Sequence, residues 1–237
     1  MSPDKAPNKF RIRSFVRRDG RGTAAQVRAY AELWPRFGLS LENGMLDLAS
    51  LFGNDAPCLL EIGFGTGQSL LAAAKANPGK NFIGVETHRP GVGALLLGMQ
   101  LNELSNIRVF HTDVIDVLEK CIPDTSLAGI QIFFPDPWQK RKHHARRLIQ
   151  PEFLKLIMAK LKQGAELHLA TDWDDYAKHM MKVVTAEPGL INVAGVGSFA
   201  ERSPYRPIVS KFEGRAIREG RGIWELRLRL AVAALFP

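Results

Sequence analysis

Acidic residues stand at or beside the ends of four successive apolar segments of the chain. Glu61 and Glu86 close the first two segments, and Asp113 and Asp136 follow the third and the fourth. Carboxylates that share one crevice are costly to bury unless the crevice also takes up a cation or hydrogen-bond donors. The pattern therefore indicates a site for a cationic, donor-rich small molecule. Capping of the following helix is the alternative role, above all for Asp113.

A glycine-rich turn directly follows the first of these segments. Gly63, Gly65 and Gly67 occupy alternate positions, where they permit positive φ and leave bare backbone for a ligand. The dinucleotide fingerprint requires a third glycine where Gln68 stands, so a smaller nucleoside without a pyrophosphate fits the turn better. S-adenosylmethionine has an ammonium, a sulfonium, ribose hydroxyls and an adenine amino group, and so meets both requirements. The expected contacts are the amino-acid end for Glu61 and the glycine turn, the ribose for Glu86, the adenine amino group for Asp113 and the transferable methyl group for Asp136.

Asp136 lies between two prolines and is followed by an aromatic and a basic run. Because proline fixes its own φ and restricts the residue before it, the sequence predicts a rigid loop that carries this carboxylate. Residues 138–147 read WQKRKHHARR, which is typical of a pocket with a phosphate-binding lip. The two adjacent histidines of this run would point in different directions on a helix or a strand, so we predict no metal site there.

The elements that must position these residues alternate between strands and helices. This order predicts a parallel sheet with helices on both faces, which binds ligands beyond the carboxyl ends of its strands where the strand order reverses. Alternating polarity in the last strand predicts an antiparallel strand at the edge. The predicted strands are Cys58–Ile62, Phe82–Glu86, Ile107–His111, Ile130–Phe134, Glu166–Ala170, Leu190–Val196 and Ile223–Leu230. The predicted helices are Thr23–Trp34, stopped by Pro35, Leu41–Phe52, Gln68–Ala76, Pro90–Leu104, Val114–Cys121, Pro151–Lys162, stopped by Gly164, and Asp174–Thr185.

Composition narrows the class of protein. The 237 residues are 46% hydrophobic and 24% charged, which suffices for a folded core, and no window reaches the ~20 apolar residues of a membrane span. With two cysteines and no apolar signal core, a disulfide scaffold is excluded and a cytoplasmic protein is expected. The net charge of +8 is concentrated in residues 1–28, with a net of +6, and in residues 138–150, with a net of +5. We predict a basic arm over residues 1–22, one domain over residues 23–237, and a polyanionic partner.

Five motifs together resemble the tRNA (guanine-N7)-methyltransferase family. They are Glu61-Ile-Gly-Phe-Gly-Thr-Gly67, Glu86-Thr-His-Arg-Pro-Gly-Val-Gly93, Phe134-Pro-Asp-Pro-Trp138 with its basic continuation to Arg147, Thr171-Asp-Trp173, and Arg206-Pro207 followed by Ser210-Lys-Phe-Glu213. The resemblance extends from about residue 10 to about residue 230. The positions that depart from the family pattern are Thr66, Gln139, Ser210 and Arg221.

The resemblance implies an α/β, Rossmann-like class I methyltransferase fold, with a mostly parallel seven-stranded sheet and an antiparallel C-terminal strand. It implies that Asp136 is catalytic and that tRNA is the partner, with the variable-loop guanine at position 46 of conventional tRNA numbering as the target. The cofactor-binding residues it implies are Glu61, Glu86, Asp113 and Asp136. The substrate-binding residues it implies are Lys140, Asp172, Ser210, Lys211, Phe212 and Glu213, and the RNA-binding residues are Lys142, His143, His144, Ala145, Arg146 and Arg147.

Methylation at guanine N7 agrees with the residues present. N7 carries a lone pair and no proton, so the reaction needs alignment and a nearby negative charge and no base that deprotonates the nucleophile. Asp172 and Glu213 are candidates to accept hydrogen bonds from the Watson–Crick edge of guanine. Two other functions stay open from the residues, namely amino-group methylation of a nucleic acid and RNA binding without catalysis. Monomer and homodimer are equally compatible with the sequence.

Overall fold

A computed structural model describes residues 20, 22–203, 206 and 208–231 of the chain. Apart from residues 20 and 22, the predicted basic arm lies outside the described residues, so the division into arm and domain stays a prediction. The helices are α1 (Ala24–Phe37), α2 (Leu48–Phe52), α3 (Gln68–Ala76), α4 (Arg89–Leu101), α5 (Val114–Lys120), α6 (Pro151–Lys160), α7 (Asp174–Thr185) and α8 (Lys211–Arg218), with 3-10 turns at Leu41–Asn43 and Arg141–Arg146. The strands are β1 (Gly38–Leu39), β2 (Cys58–Ile62), β3 (Asn81–Val85), β4 (Ile107–Phe110), β5 (Leu127–Phe133), β6 (Leu161–Thr171), β7 (Leu190–Asn192) and β8 (Trp224–Leu230).

The strands form one sheet in the order β1-β4-β3-β2-β5-β6-β8-β7. The six strands from β1 to β6 run parallel, and β8 pairs antiparallel with both β6 and β7. The mostly parallel α/β architecture with an antiparallel C-terminal strand is therefore confirmed. Among the residues that the structure describes, the sheet has eight strands and not seven, because Gly38–Leu39 adds a strand of two residues, too short to leave a periodic signal.

The last strand does not lie at the edge of the sheet, so that prediction was wrong. β7 is the edge strand, and β8 is covered on both sides by neighbours. Leu226 and Leu228 pack into the core, whereas Glu225 is buried against His168 on the other face. The alternation in β8 therefore reflects one apolar face and one face that carries paired charges.

The strand order reverses between β2 and β5, which are neighbours in the sheet. Because these strands are parallel, the segments that follow β2, β3, β4 and β5 all leave the sheet at the carboxyl ends of its strands. Two apolar clusters pack on the faces of the sheet: α1, α3 and α4 contribute to one, and α5, α6 and α7 contribute to the other. Both clusters fix the directions in which these strand ends point.

Several helix boundaries differ from the sequence-based expectation. Pro35 lies inside the last turn of α1, where its missing N–H removes one helical hydrogen bond but only two helical residues follow it. Gly164 does not stop a helix; α6 ends at Lys160, and Gly164 has φ +73° within β6 where the pairing with β5 becomes irregular. The predicted helix Leu41–Phe52 consists of a 3-10 turn and the short α2. Across the part of the chain that the structure describes, no helix is long and apolar enough to cross a membrane.

Candidate active site

A cavity of about 380 Å³ opens at the carboxyl edge of the sheet, where the strand order reverses. It brings together residues that follow β2, β3, β4 and β5 and one residue of α8. The lining residues are Ile62, Gly63, Gly65, Val85, Glu86, Thr87, His88, Thr112, Asp113, Val114, Ile132, Phe133, Phe134, Pro135, Asp136, Leu148 and Phe212. Three of the four predicted strand-end carboxylates, those of Glu86, Asp113 and Asp136, thus share one cavity.

The glycine turn forms one wall of this cavity. Gly63 and Gly65 have φ of +73° and +59° and line the cavity, and no atom lies within 4 Å of the place where a Cβ of Gly63 would stand. Gly67 also has positive φ, but a Cβ there would approach Leu95 to 2.6 Å. Gly63 and Gly65 therefore keep the wall bare, whereas Gly67 allows α3 and α4 to pack closely.

Glu86 fixes the shape of that wall. One oxygen of its carboxylate accepts a hydrogen bond from the Gly65 N–H at 2.8 Å. The other oxygen accepts from the N–H groups of Thr87 and His88 at 2.6 and 2.9 Å. The side chain thus ties the turn after β2 to the turn after β3, and these backbone donors stabilise a carboxylate at the cavity surface.

Asp113 combines the two roles that the sequence left open. Its carboxylate accepts from the Ile115 N–H at 3.0 Å and so caps α5. The same residue lines the cavity beside Thr112. The cap fixes the direction of the side chain at the cavity wall.

Glu61 does not line the cavity. Its side chain is buried at the end of β2, and its Oε2 has no hydrogen-bond partner among the described residues. Burial raises the pKa of this carboxyl to about 8, although the positive charge of Arg206 acts in the opposite direction. A buried oxygen without a hydrogen-bond donor beside it is rare in native proteins.

The loop that carries Asp136 is held in an uncommon backbone conformation. Phe134 and Trp138, which bracket the Pro-Asp-Pro segment, have φ of +53° and +47°. Such angles are costly for large residues and persist only where the surroundings enforce them. The Phe134 N–H donates to the Ala170 carbonyl at 2.8 Å, which anchors the start of the loop on β6. Asp136 is exposed and lines the cavity, as a residue that meets a ligand must be.

Arg147 anchors the other end of this loop from beneath. Its side chain is 1% exposed, and its Nε donates to the Pro137 carbonyl at 2.9 Å. The guanidinium also pairs with Asp175 and lies 4.9 Å from the centre of the Tyr176 ring. The hydrogen bond from Arg147 lowers the pKa of Asp175. The resemblance implies that Arg147 lies along RNA, but the structure buries it under the loop, because it follows the 3-10 segment directly and its side chain turns toward Asp175 and Tyr176 of α7.

The residues of the predicted substrate segment 210–213 also differ in whether they reach the cavity. Ser210 caps α8 through a hydrogen bond from the Glu213 N–H at 3.2 Å, and Lys211 is exposed. The Phe212 ring is 56% exposed and lines the cavity mouth. Glu213 is buried with 2% of its surface exposed, and it pairs with Arg202 and Arg206. Only Phe212 of this segment reaches the cavity.

Comparisons with known proteins identify the family. Residues 55–226, more than half of the chain, match a family model described as "Putative methyltransferase". The tRNA (guanine-N(7)-)-methyltransferase of Alcanivorax borkumensis is 53% identical over 224 residues, which is 94% of this chain and 93% of that protein. The protein of the same name from Idiomarina loihiensis is 51% identical, over 92% of this chain and 89% of the relative. The chain belongs to the tRNA (guanine-N7)-methyltransferase family.

A solved structure agrees at the level of the fold. The 16S rRNA methyltransferase KamB superimposes with a TM-score of 0.58 at 14% identity, over 79% of this chain and 95% of that chain. The class I methyltransferase fold of this family member is thereby confirmed.

The basic run of this tRNA (guanine-N7)-methyltransferase family member exposes only some of its charges. Lys140, Arg141 and Lys142 are exposed, as is Ala145, whereas His143 and His144 are half-buried. The half-buried Arg146 lies 4.9 Å from the centre of the Trp138 ring. This exposed group lies next to the loop of Asp136 and forms a cationic border outside the cavity.

Asp172 is half-buried, and its carboxylate pairs with Arg221 at 2.7 Å. Arg221, where the family pattern differs, also pairs with Glu219 at 2.7 Å. The predicted substrate residue thus has a cationic partner that the sequence did not suggest, because 49 positions separate the two.

Sequence reasoning missed several lining residues. Thr87, His88 and Thr112 stand directly after strand ends, so their position in the chain could have indicated them. Leu148 carries no such signal, because it comes to the cavity through the path of the 3-10 segment. The described residues contain no group of three or more His, Cys, Asp or Glu side chains arranged to hold a metal ion.

The buried carboxyl of Glu61 makes stability depend on pH. Its pKa is raised to about 8 in the fold from 4.5, so the folded state keeps a proton that the unfolded chain loses. This group therefore lowers the free energy of unfolding as the pH rises from about 4.5 to about 8. We expect the stability of Glu61→Gln relative to the parent to increase over this range, by up to about 1.4 kcal/mol per pH unit. Urea denaturation of both proteins at pH 5, 6.5 and 8 measures the difference, and a difference that stays constant would contradict the assignment.

Proposed function

We propose that this protein transfers a methyl group from S-adenosylmethionine to N7 of a guanine in tRNA, at position 46 in the variable loop. The observation that carries the proposal is a single cavity that combines a bare glycine wall with the carboxylates of Glu86, Asp113 and Asp136. The curated relatives, at about half identity over nearly the whole chain, bear the name of this activity. The free thiols of Cys58 and Cys121 fit the reducing cytoplasm in which we place the protein.

The residues present fit S-adenosylmethionine. The open space at Gly63 accepts a ligand against the backbone. Glu61 is buried behind this turn and does not line the cavity, so its contact with the amino-acid end of the cofactor stays a prediction. Glu86 retains acceptor capacity for ribose hydroxyls beside its backbone donors, and Asp113 stands one strand further out for the adenine amino group. The bound cofactor would supply an electrophilic methyl group on a sulfonium.

Asp136 would act through its charge and its position. Because N7 has no proton to lose, no side chain has to serve as a general base. A carboxylate fixed on the loop stabilises the positive charge that passes from donor to base, and the bracketing Phe134 and Trp138 hold it where the methyl group must point. The rigid loop thereby provides the alignment on which this reaction depends.

The remaining substrate residues are proposed from where they lie. Phe212, exposed at the cavity mouth, offers a ring surface to a base that has left its stack, and Lys140 stands exposed near the loop of Asp136. Asp172 is the better candidate for the Watson–Crick edge of guanine, because both oxygens of Glu213 already accept from arginines. Lys142 and the exposed part of its run would contact phosphates.

Methyl transfer to unmodified tRNA tests the function directly. The parent protein, with radiolabelled S-adenosylmethionine, should give 7-methylguanosine that maps to position 46 by borohydride reduction and aniline cleavage. Asp136→Asn, which keeps the size of the side chain, should lower kcat by about a hundredfold or more because it removes the charge. A methyl group on an exocyclic amine would support amino-group methylation instead, and binding of tRNA without any transfer would support an RNA-binding protein.

Glu86 provides a separate test of the cofactor site. Glu86→Ala removes the acceptor for three backbone N–H groups and the expected ribose contact. Its affinity for S-adenosylmethionine in calorimetry should fall by about tenfold or more. Glu152→Ala, in the exposed first turn of α6, is the control and should bind as the parent does. Equal affinity of Glu86→Ala and the parent would remove Glu86 from the site.

The exposed basic group can be tested through its salt dependence. Replacement of Lys142 and Arg141 by glutamine should reduce the slope of log affinity for tRNA against log salt by about 0.7 to 0.9 for each phosphate that the variant no longer neutralises. Lys155→Gln, exposed on α6, should leave the slope as it is in the parent. An unchanged slope in the double variant would show that these two side chains do not touch phosphate.

A further inference from the structure

One buried guanidinium joins three elements, two of which line the cavity. Arg206 has a side chain that is 2% exposed, and it pairs with Glu213 at the start of α8 and with Glu225 in β8. Its Cζ also lies 5.2 Å from the ring centres of both Phe133 and Phe134, at the end of β5. Arg206 is therefore the centre of a buried network that links α8, β8 and the start of the Asp136 loop.

Both carboxylates that Arg206 holds also accept from other donors. Glu213 accepts from the Arg202 Nε at 2.7 Å. Glu225 accepts from His168 at 2.9 Å and from the Ser203 N–H at 3.0 Å. These donors leave the carboxylates no freedom to turn toward the cavity, so the group is a fixed buried network.

The network ends at the walls of the cavity. Phe133 and Phe134 line it and lead into Asp136, while Phe212, next to Glu213, lines it from α8. The Phe133 ring also meets the His168 ring edge-on at 4.9 Å. Arg206 therefore lies behind both the loop of Asp136 and the start of α8, and it does not line the cavity itself.

We propose that Arg206 is a positioning residue for methyl transfer, which aligns the loop of Asp136 with α8. The inference rests on the proposed function. A planar guanidinium can bind two carboxylates along its edges while aromatic rings lie near it, whereas an ammonium is a single point charge that cannot reproduce this geometry. Loss of the fork would let α8 move relative to the loop, and small misplacements of reacting groups slow a reaction strongly.

Arg206→Lys tests this geometry while it keeps the charge. We expect kcat at saturating substrates to fall by about ten- to a hundredfold, with KM for tRNA and the affinity for S-adenosylmethionine within about threefold of the parent. Measurements are made well below the melting temperature of each protein. Glu225→Gln, which removes the β8 side of the fork, should lower kcat in the same direction and carries the test if Arg206→Lys does not fold.

The control removes an ion pair between the buried Lys160 and the exposed Asp124, which precede β6 and β5 and so lie at the opposite end of these strands from the cavity. Lys160 is 8% exposed at the end of α6 and pairs with Asp124 at 2.5 Å. Lys160→Met should lower the melting temperature and leave kcat at the parent value. Arg206→Lys with the kcat of the parent, or with a reduction of kcat no greater than that of the control, would overturn the proposal.

A second readout does not depend on activity. Fluorine NMR of protein labelled with 4-fluorophenylalanine, with the Phe212 signal assigned from Phe212→Leu, should show that signal shifted or broadened in Arg206→Lys and unchanged in Lys160→Met. An unchanged Phe212 signal in Arg206→Lys would overturn the positioning role. If the parent itself does not methylate tRNA, the proposed function fails, and this spectrum still decides whether Arg206 positions the cavity wall.

Discussion

Carboxylates gathered at one edge of a parallel sheet must each find a donor or lose their charge, and the rest of the site follows from this constraint. The chain meets it in several ways at once. Glu86 takes three backbone N–H groups, Asp113 takes the N-terminus of α5, and Glu61 is buried where its neutral form is favoured. Asp136 is instead exposed at the cavity. The edge is therefore stable within the fold and keeps acceptor capacity for a cationic ligand.

Two buried arginines hold the loop of Asp136 from opposite ends. Arg147 donates to the carbonyl of Pro137, and Arg206 lies against the rings that precede the loop. Replacing a buried ion pair by apolar residues is often neutral for stability, so the buried pairs of Arg206 with Glu213 and Glu225 are better explained by the geometry that they enforce. The left-handed backbone at Phe134 and Trp138 is the cost of that geometry.

The sequence was a sufficient guide to the parallel strands, to the glycine turn and to three of the four strand-end carboxylates of the cavity, because apolar runs and strand-end residues are local signals. It failed where a contact between distant segments decides the outcome. The predicted helix stop at Gly164 was wrong because glycine fits both a helix end and an irregular strand, and only the pairing with β5 distinguishes them. Helix α8 was missed, since its only long apolar positions are Phe212 and Ile217, which are both exposed, so it lacks a buried stripe.

Because such contacts are not visible in the sequence, the family motifs did not show which residues contact a ligand and which hold other residues in place. Arg146 and Arg147 are adjacent and chemically identical, yet one lies beside an aromatic ring at the surface and the other is buried against α7. Glu213 likewise belongs to a segment whose neighbour Phe212 reaches the cavity, while its own carboxylate faces away toward arginines. An ion pair with RNA at the surface is screened by salt, whereas a buried ion pair is screened much less. The place of a residue in a family motif therefore does not reveal its role; its exposure and its partners do.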